Sequence, residues 1–125
     1  MYSLNEVNLI GNVGKAPEIR TLQTGVKMAT FSIATSQRKK DGQRQTEWHN
    51  VVVYNPMLID IIEKYLKKGS HVFVKGSLST KEYQDQNGNT KTSINIVLHK
   101  YTGTLIILDK NSDVDSYDEF DSIPF

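Results

Sequence analysis

The chain contains no cysteine and only three prolines among its 125 residues. Without cysteine, a disulfide framework, a cysteine-ligated zinc site and a thiol nucleophile are all excluded. No apolar stretch approaches the roughly 20 residues needed to span a bilayer, and the N-terminus lacks the basic segment and apolar run of a secretory signal. We therefore expect a cytoplasmic protein with enough sequence for one domain.

Catalytic and metal-binding patterns are also missing. His49, His71 and His99 are scattered, with no carboxylate at ligand spacing, so no metal site is predicted; His71 and His99 are interpreted as structural. The Ser and His residues lie in no nucleophile motif. The spacing of Gly11 and Gly14 is too weak to indicate a phosphate loop, since no Lys-Ser/Thr pair follows. The sequence predicts neither an enzyme nor a cofactor.

The small net charge conceals two unlike segments. Residues 1–108 hold 14 Lys and Arg against 8 Asp and Glu, a balance of +6; residues 109–125 hold 1 against 6, a balance of −5. A basic body suggests a domain that binds a polyanion, and its acidic tail would compete for the groove or recruit partners. The simpler alternative for the tail is a charge run that keeps the surface solvated. Because the tail has little apolar surface, we expect it to be disordered.

Strand patterns recur along residues 1–108. Apolar and β-branched residues between Gly, Pro and Asn predict five strands. Ala16-Pro17 interrupts the first strand, Phe31 is expected in the core, and Asn87-Gly88 is the strongest hairpin-turn signal. The predicted ranges are 7–22, 26–34, 46–54, 71–83 and 90–108, the last with a bend at Gly103.

One short amphipathic helix is predicted between the third and fourth strands. Asn55 can cap it, Pro56 fits its first position, and Gly69 follows its last turn. Apolar residues at helical spacing form a stripe that would plug one end of a barrel. The stripe consists of Leu58, Ile61, Ile62, Tyr65 and Leu66.

This order of elements determines the predicted fold class. Three strands, a helix and two further strands form the order of an OB-fold, a mainly β, five-stranded Greek-key barrel that binds oligonucleotides across its face and loops. A parallel βαβ sheet would need helices between most of its strands.

The strand at 46–54 contains the only tryptophan of the chain. Alternation places Trp48, Asn50, Val52 and Tyr54 on one side, with Glu47, His49, Val51 and Val53 on the other. An aromatic residue at each end of one side suits a barrel wall that stacks flat ligands outward. The alternative is that Trp48 and Tyr54 fill the core.

A basic loop at 37–45 precedes that strand. Arg38, Lys39, Lys40 and Arg44 surround an Asp41-Gly42 turn. Four cations on one exposed connection have little structural purpose, which favours contacts with phosphates.

Four stretches resemble the bacterial single-stranded DNA-binding protein family, over nearly the whole chain and in the same order. They are 4–20, 45–49 (Gln-Thr-Glu-Trp-His), 65–70 (Tyr-Leu-Lys-Lys-Gly-Ser) and 122–125 (Ser-Ile-Pro-Phe). The Ile-Pro-Phe end behind acidic residues is the most specific of these. The resemblance implies the same OB-fold and a homotetramer wrapped by single-stranded DNA at the nucleoid in the cytoplasm.

The resemblance also implies which residues stack on bases. Trp48 matches a family tryptophan, whereas Tyr54 and Tyr83 stand where the family has Phe and Trp. Lys39 is a departure, because many members have a further Trp there. A charge in place of a stacking ring should make binding weaker per base and steeper in salt.

Exposed cations are the candidates for phosphate contacts. Lys67 and Lys68 could equally complement the negative end of the helix dipole. The candidates are Lys15, Arg20, Arg38, Lys39, Lys40, Lys68 and Lys81. For His49 the resemblance implies a subunit contact, and the alternative is a satisfied polar side chain.

The C-terminal tip is the predicted partner site. The resemblance implies that Asp121, Ile123, Pro124 and Phe125 dock into basic-rimmed apolar pockets on replication, recombination and repair proteins. A C-terminal Phe suits such a pocket, since its ring is buried while its carboxylate pairs with Arg or Lys. Ser122 replaces an acid that is common in the family, which weakens electrostatic docking. The linker is also shorter than in most members.

The sequence therefore predicts sequence-independent binding of single-stranded DNA. One alternative is a replication-restart primosomal adaptor with an OB-fold, although such a protein should lack the acidic Ile-Pro-Phe end. Another is an OB-type nuclease, which would need clustered acids. RNA binding also remains open, because stacking does not distinguish the sugars.

Overall fold

The computed structural model describes residues 2–109, and the predicted tip residues Asp121, Ile123, Pro124 and Phe125 lie outside them. The elements of the described part follow in chain order. They are β1 (Val7–Val13), β2 (Glu18–Thr21), β3 (Lys27–Arg38), β4 (Arg44–Val53), α1 (Pro56–Tyr65), β5 (His71–Gln84), β6 (Thr90–Leu98) and β7 (Thr104–Ile107).

Five of these strands close into a ring. Its order is β1-β3-β4-β6-β5, and β5 pairs back with β1. The β4–β6 contact is parallel, whereas the other ring contacts are antiparallel. The helix lies between the third and fourth strands of the ring in sequence. This is the OB-fold that the order of elements predicted, and the prediction is confirmed.

Two predicted strands are each divided in the structure. The first does not resume after the Ala16-Pro17 interruption, because β2 pairs with β3 instead of continuing β1. The last predicted strand stops at Leu98, and β7 then pairs with β5. Between them the chain leaves the ladder in a turn in which the Thr102 amide donates to the His99 carbonyl at 3.3 Å, and it then resumes its direction, since β6 and β7 both run antiparallel to β5. Gly103, with φ of +98°, ends this turn and leads the chain back to β5, at the position where the sequence predicted a bend within one strand.

The core is built from alternate side chains of the ring strands. Phe31 belongs to it, as predicted, and most of its members are β-branched, which suits strands that pack on one face. The largest fully buried side chains include Ile33, Val51, Val53, Val72, Val74 and Leu98 from the strands, with Ile59 and Ile62 from the helix.

The helix begins as predicted, and its buried side differs in part from the predicted stripe. The Asn55 side chain accepts a hydrogen bond from the Met57 amide at 3.1 Å, and Pro56 is the first helical residue. Ile59 is buried with Ile62 and Leu66, whereas Ile61 is 37% and Tyr65 is 65% exposed.

The predicted stripe was therefore correct for Leu58, Ile62 and Leu66, which lie in or against the core, but it wrongly included Ile61 and Tyr65 and omitted Ile59. Apolar residues occupy so many positions between Met57 and Leu66 that helical spacing fits two neighbouring faces. Packing against the barrel selects the face that carries Ile59. Gly69 also does not directly follow the helix, since it adopts φ of +90° in a separate turn that begins at Lys67.

Side chains fasten both ends of the described chain to β5. The Asn5 amide nitrogen donates to the Leu78 carbonyl at 2.9 Å, and the Leu78 amide donates back to the Asn5 oxygen at 2.8 Å. At the other end the His71 amide donates to the Asp109 carboxylate at 2.7 Å. Asp109, the first residue of the predicted tail, thus contacts the barrel.

The register of the helix can be tested with a matched pair of substitutions. Ile59→Ala should lower the free energy of unfolding by about 2–5 kcal/mol, because it leaves a cavity in the core. Ile61→Ala should change it by about 0.5 kcal/mol or less, since its side chain is partly in solvent. Urea unfolding followed by circular dichroism measures both. Equal losses, or a larger loss at Ile61, would contradict the observed packing.

Candidate nucleic-acid interface

Strand alternation gives the barrel an outward-facing surface with a defined set of residues. Val51 and Val53 of β4 are buried, so Trp48, Asn50 and Val52 project away from the core. The strand registers extend this surface to the neighbouring strands. We call it the outer face; it comprises Thr30, Ser32, Ala34, Ser36 and Arg38 of β3, Arg44, Thr46, Trp48, Asn50 and Val52 of β4, Lys91, Ser93, Asn95 and Val97 of β6, and Ser77, Ser79, Lys81 and Tyr83 of β5.

Trp48 is held on the outer face by a glycine two strands away. A Cβ atom added to Gly14 would overlap Cζ3 of the indole and lie 2.8 Å from its Cη2. The ring therefore reaches across β3, where Ser32 and Ala34 have small side chains, and packs on the backbone at Gly14. The Gly14 amide donates to the Ser32 carbonyl at 2.9 Å, which fixes that backbone in place.

The same ring remains open to solvent. Trp48 is 62% exposed, so it is not the core residue of the alternative interpretation. It borders a groove of about 670 Å³. Polar side chains on the groove's lining include Lys15, Ser32, Asn50 and Asn95. A fixed aromatic surface beside hydrogen-bonding groups can hold a flat, polar ligand such as a base.

The two predicted tyrosines lie at different ends of the outer face. Tyr83 is half exposed and pairs with Lys91 across the β5–β6 hairpin, with Lys81 two residues earlier on the same face. Tyr54 directly follows β4 and is partly buried, and its amide donates to the Leu98 carbonyl at 2.8 Å. Tyr54 lies six positions after Trp48, which corresponds to about 20 Å of extended chain.

The basic loop is a β-hairpin rather than an irregular connection. Strands β3 and β4 continue to Arg38 and Arg44, so the predicted loop is shorter than 37–45. The Lys39 amide donates to the Gln43 carbonyl at 2.8 Å and closes the turn. Regular pairing extends further than predicted because Gly42, with φ of +85°, permits a tight reversal.

Arg38 and Arg44 face each other directly across this hairpin, on the side that carries Trp48. Like charges directly opposite in a sheet are destabilising. Within residues 2–109, neither arginine, Lys39 nor Lys40 forms an ion pair with a carboxylate. A bound anion would relieve this repulsion.

The remaining candidates for phosphate contacts are exposed, but they differ in their ion pairing and in their position relative to Trp48. Arg20 pairs with Glu18 at 3.6 Å, whereas Lys15 borders the Trp48 groove. Lys68 lies next to Gly69, whose amide donates to the Val13 carbonyl at 2.8 Å. That hydrogen bond brings the turn after α1 to the segment that contains Gly14 and Lys15. Lys81 is on the outer face.

Several residues of this surface were missed by sequence reasoning. Gly14 enters the sequence analysis only through its weak spacing with Gly11, and nothing local in the sequence relates it to Trp48. Asn50 and Asn95 become neighbours through the parallel β4–β6 pairing. A parallel contact between distant segments leaves no short-range signal. Lys91 joins the outer face through the hairpin register, although its ammonium also pairs with Asp85 at 3.6 Å.

The three histidines lie apart from one another. His49 is partly buried, and its Nε2 lies 2.9 Å from Thr35 Oγ1. It borders a second groove of about 480 Å³ with the apolar side chains of Leu78 and Ile94. His71 and His99 are exposed. Among residues 2–109, no three His, Cys, Asp or Glu side chains gather to hold a metal.

An apolar row crosses the opposite side of the barrel. Ile10 of β1, Phe73 of β5 and Ile106 of β7 are aligned by the strand registers. Ile10 and Ile106 are exposed, and Phe73 is partly buried. In the part of the chain that the structure describes, no helix is long and apolar enough to cross a bilayer.

Comparison with known proteins agrees with this architecture. The single-stranded DNA-binding protein of Rickettsia typhi is 44% identical over 116 residues, covering 88% of this chain and 76% of the relative. That of Rickettsia felis is 43% identical with the same coverage. A solved structure described as a Plasmodium falciparum SSB complex with ssDNA has a TM-score of 0.82 and 43% identity, and the match covers 87% of this chain and 98% of that one. Residues 4–103 match the model of the single-strand binding protein family, and the chain belongs to that family.

Proposed function

We propose that this protein binds single-stranded DNA without sequence preference by stacking bases on the outer face. The observation that carries the proposal is the exposed Trp48 ring, which is fixed on Gly14 and borders a groove that Lys15 also lines. Membership of the family, and a similar solved structure described as containing single-stranded DNA, support the same ligand.

Stacking contributes affinity that does not depend on which base is bound. Trp48, Tyr54 and Tyr83 are the proposed platforms, and each stacked base contributes roughly 1–3 kcal/mol. Ser32, Asn50 and Asn95 add hydrogen-bonding groups beside the Trp48 ring. Because every base has a π-face, these platforms tolerate any sequence.

Phosphate contacts supply the part of the affinity that depends on salt. Each phosphate neutralised on a single strand contributes about 0.7 to the slope of log affinity against log salt. The Arg38–Arg44 pair has the strongest structural support, because binding an anion removes a like-charge repulsion. The other proposed contacts are Lys15, Arg20, Lys39, Lys40, Lys68 and Lys81.

The proposed activity consists of binding unpaired DNA, and no covalent bond is made or broken. Bases that lie against the outer face cannot pair or reach a nuclease. The role that follows is protection of single strands during replication, recombination and repair. We propose that the protein works at the nucleoid in the cytoplasm, since the bacterial relatives named above bind single-stranded DNA by their descriptions.

Two apolar surfaces support assembly into a homotetramer. The groove beside His49 includes exposed Leu78 and Ile94, and the row of Ile10, Phe73 and Ile106 lies across the barrel. Contacts with further copies of the chain, one at each surface, would remove both surfaces from water. Two distinct surfaces of this kind are what a tetramer of identical subunits needs.

We further propose that the C-terminal tip recruits partner proteins. Asp121, Ile123, Pro124 and Phe125 would dock into basic-rimmed apolar pockets on replication, recombination and repair enzymes. The acidic character of residues 109–125 supports this division of labour, because a −5 segment is repelled by DNA phosphates.

Fluorescence of Trp48 tests DNA binding directly, since it is the only tryptophan. Poly-dT should quench its emission to saturation, and duplex DNA at equal nucleotide concentration should compete poorly. Raising the salt should weaken binding without abolishing the quench at saturation. An unchanged emission while DNA is bound would contradict stacking at Trp48, and preferential competition by an RNA of matched sequence would indicate that RNA is the ligand.

Substitution of Gly14 tests how the ring is positioned. Gly14→Ala should displace the indole and weaken poly-dT binding by part of the roughly 1–3 kcal/mol of one stacked base. A double-mutant cycle with Trp48→Ala isolates this effect, because Gly14→Ala should then add little. Equal losses from Gly14→Ala with and without Trp48 would show that Gly14 acts independently of the ring.

Deletion of residues 121–125 tests the recruitment function. DNA affinity should stay the same or rise, while replication, recombination and repair enzymes should no longer be retained on protein-coated single strands. Mass spectrometry of the retained proteins measures this, with Ser122→Asp as a matched variant that should increase retention by restoring an acid. Loss of DNA binding on deletion would contradict the proposed separation of roles.

A further inference from the structure

The turn between β6 and β7 carries an exposed aromatic residue and a cation that the function above does not use. Tyr101 is 84% exposed, and the Lys100 ammonium lies 5.4 Å from the centroid of its ring. Within residues 2–109, Lys100 has no carboxylate partner. An aromatic face with an adjacent cation can bind a base together with its phosphate.

The base of this turn is fixed to the core. Gly103 packs so closely on Leu98 that an added Cβ would lie 2.9 Å from Leu98 Cγ. Leu98 is itself fully buried. The turn is closed by the hydrogen bond from the Thr102 amide to the His99 carbonyl. Tyr101 is therefore presented from a turn that is anchored at its base.

The turn also lies at the Tyr54 end of the outer face. Val53 and Leu98 are partners in the parallel β4–β6 ladder, and the Tyr54 amide donates to the Leu98 carbonyl at 2.8 Å. Tyr54 and His99 directly follow these two partners and are therefore close to each other. Adjacent strands are about 4.8 Å apart. The segment 99–101 thus continues the line that runs from Trp48 to Tyr54.

We propose that residues 99–101 extend the track of single-stranded DNA beyond Tyr54. Tyr101 stacks on a base, and Lys100 neutralises the neighbouring phosphate. This inference rests on the proposed function, because it adds a contact to the same outer face. Continuity with that face favours nucleic acid over a protein partner as the occupant.

Three substitutions in the full-length protein test the ring and the charge separately. Tyr101→Ala should weaken binding to long oligo-dT by at least about fivefold, the minimum expected for one stacked base. Tyr101→Phe keeps the ring and should stay within about twofold of the original affinity, since stacking uses the π-face. Lys100→Gln should reduce the slope of log affinity against log salt by about 0.7.

Quenching of Trp48 separates failure of this inference from failure of the proposed function. If oligo-dT quenches Trp48 equally in all three variants, with unchanged affinity and salt slope, the turn is not part of the track although the outer face binds DNA. If Tyr101→Ala and Tyr101→Phe lose affinity equally, stacking by Tyr101 is wrong. If the unsubstituted protein shows no quench, the proposed function itself fails. Urea midpoints of the variants, expected to be unchanged at exposed positions, verify that folding is intact.

Discussion

The contact between the Trp48 ring and the Gly14 backbone is the interaction on which the binding surface depends. It spans β3 and joins residues from two strands that do not pair with each other. Any side chain at position 14 would occupy the space of the indole. Closure of the barrel thus has a direct functional consequence, because pairing of β1 with β3 brings Gly14 to the place where the ring rests. A ring held in advance loses little conformational freedom when a base stacks on it.

The positive charges on the outer face are also held in place before a ligand binds. Arg38 and Arg44 lie opposite each other on a regular hairpin, where their mutual repulsion lowers the stability of the fold. Exposed ion pairs such as Arg20 with Glu18 change that stability little. Regular strand pairing nevertheless holds the two arginines together. The hairpin therefore presents a concentrated positive charge next to an aromatic platform, an arrangement suited to a polymer of alternating bases and phosphates.

The sequence predicted the OB-fold because its signals are local and agree with one another. The Asn55 cap, the Asn87-Gly88 turn and the alternation within residues 46–54 each specify one element, and their order specifies the topology. The helix stripe included Ile61 and omitted Ile59 because apolar residues line two adjacent faces of α1, and only packing against the barrel selects between them. The division at residues 99–103 was also missed, since alternation before and after the turn resembles one long strand.

Long-range pairing explains what could not be predicted of the binding surface. The exposure of Trp48 was a hypothesis that the family resemblance favoured, and the structure places the residue outside the core. Gly14 supports the Trp48 ring only in the closed barrel. Asn50 and Asn95 likewise become neighbours only when β4 and β6 pair. The position of Tyr101 beside the Tyr54 end likewise depends on the parallel β4–β6 ladder, which joins segments more than 40 residues apart.

The most direct test of the central claim is photo-crosslinking of oligonucleotides that contain 5-iododeoxyuridine, followed by mass spectrometry of the crosslinked peptides. If bases stack on the outer face, crosslinks will concentrate at Trp48, with further products at Tyr54 and Tyr83. Crosslinks confined to the opposite side of the barrel, at Phe73 and its neighbours on β1 and β7, would contradict the account.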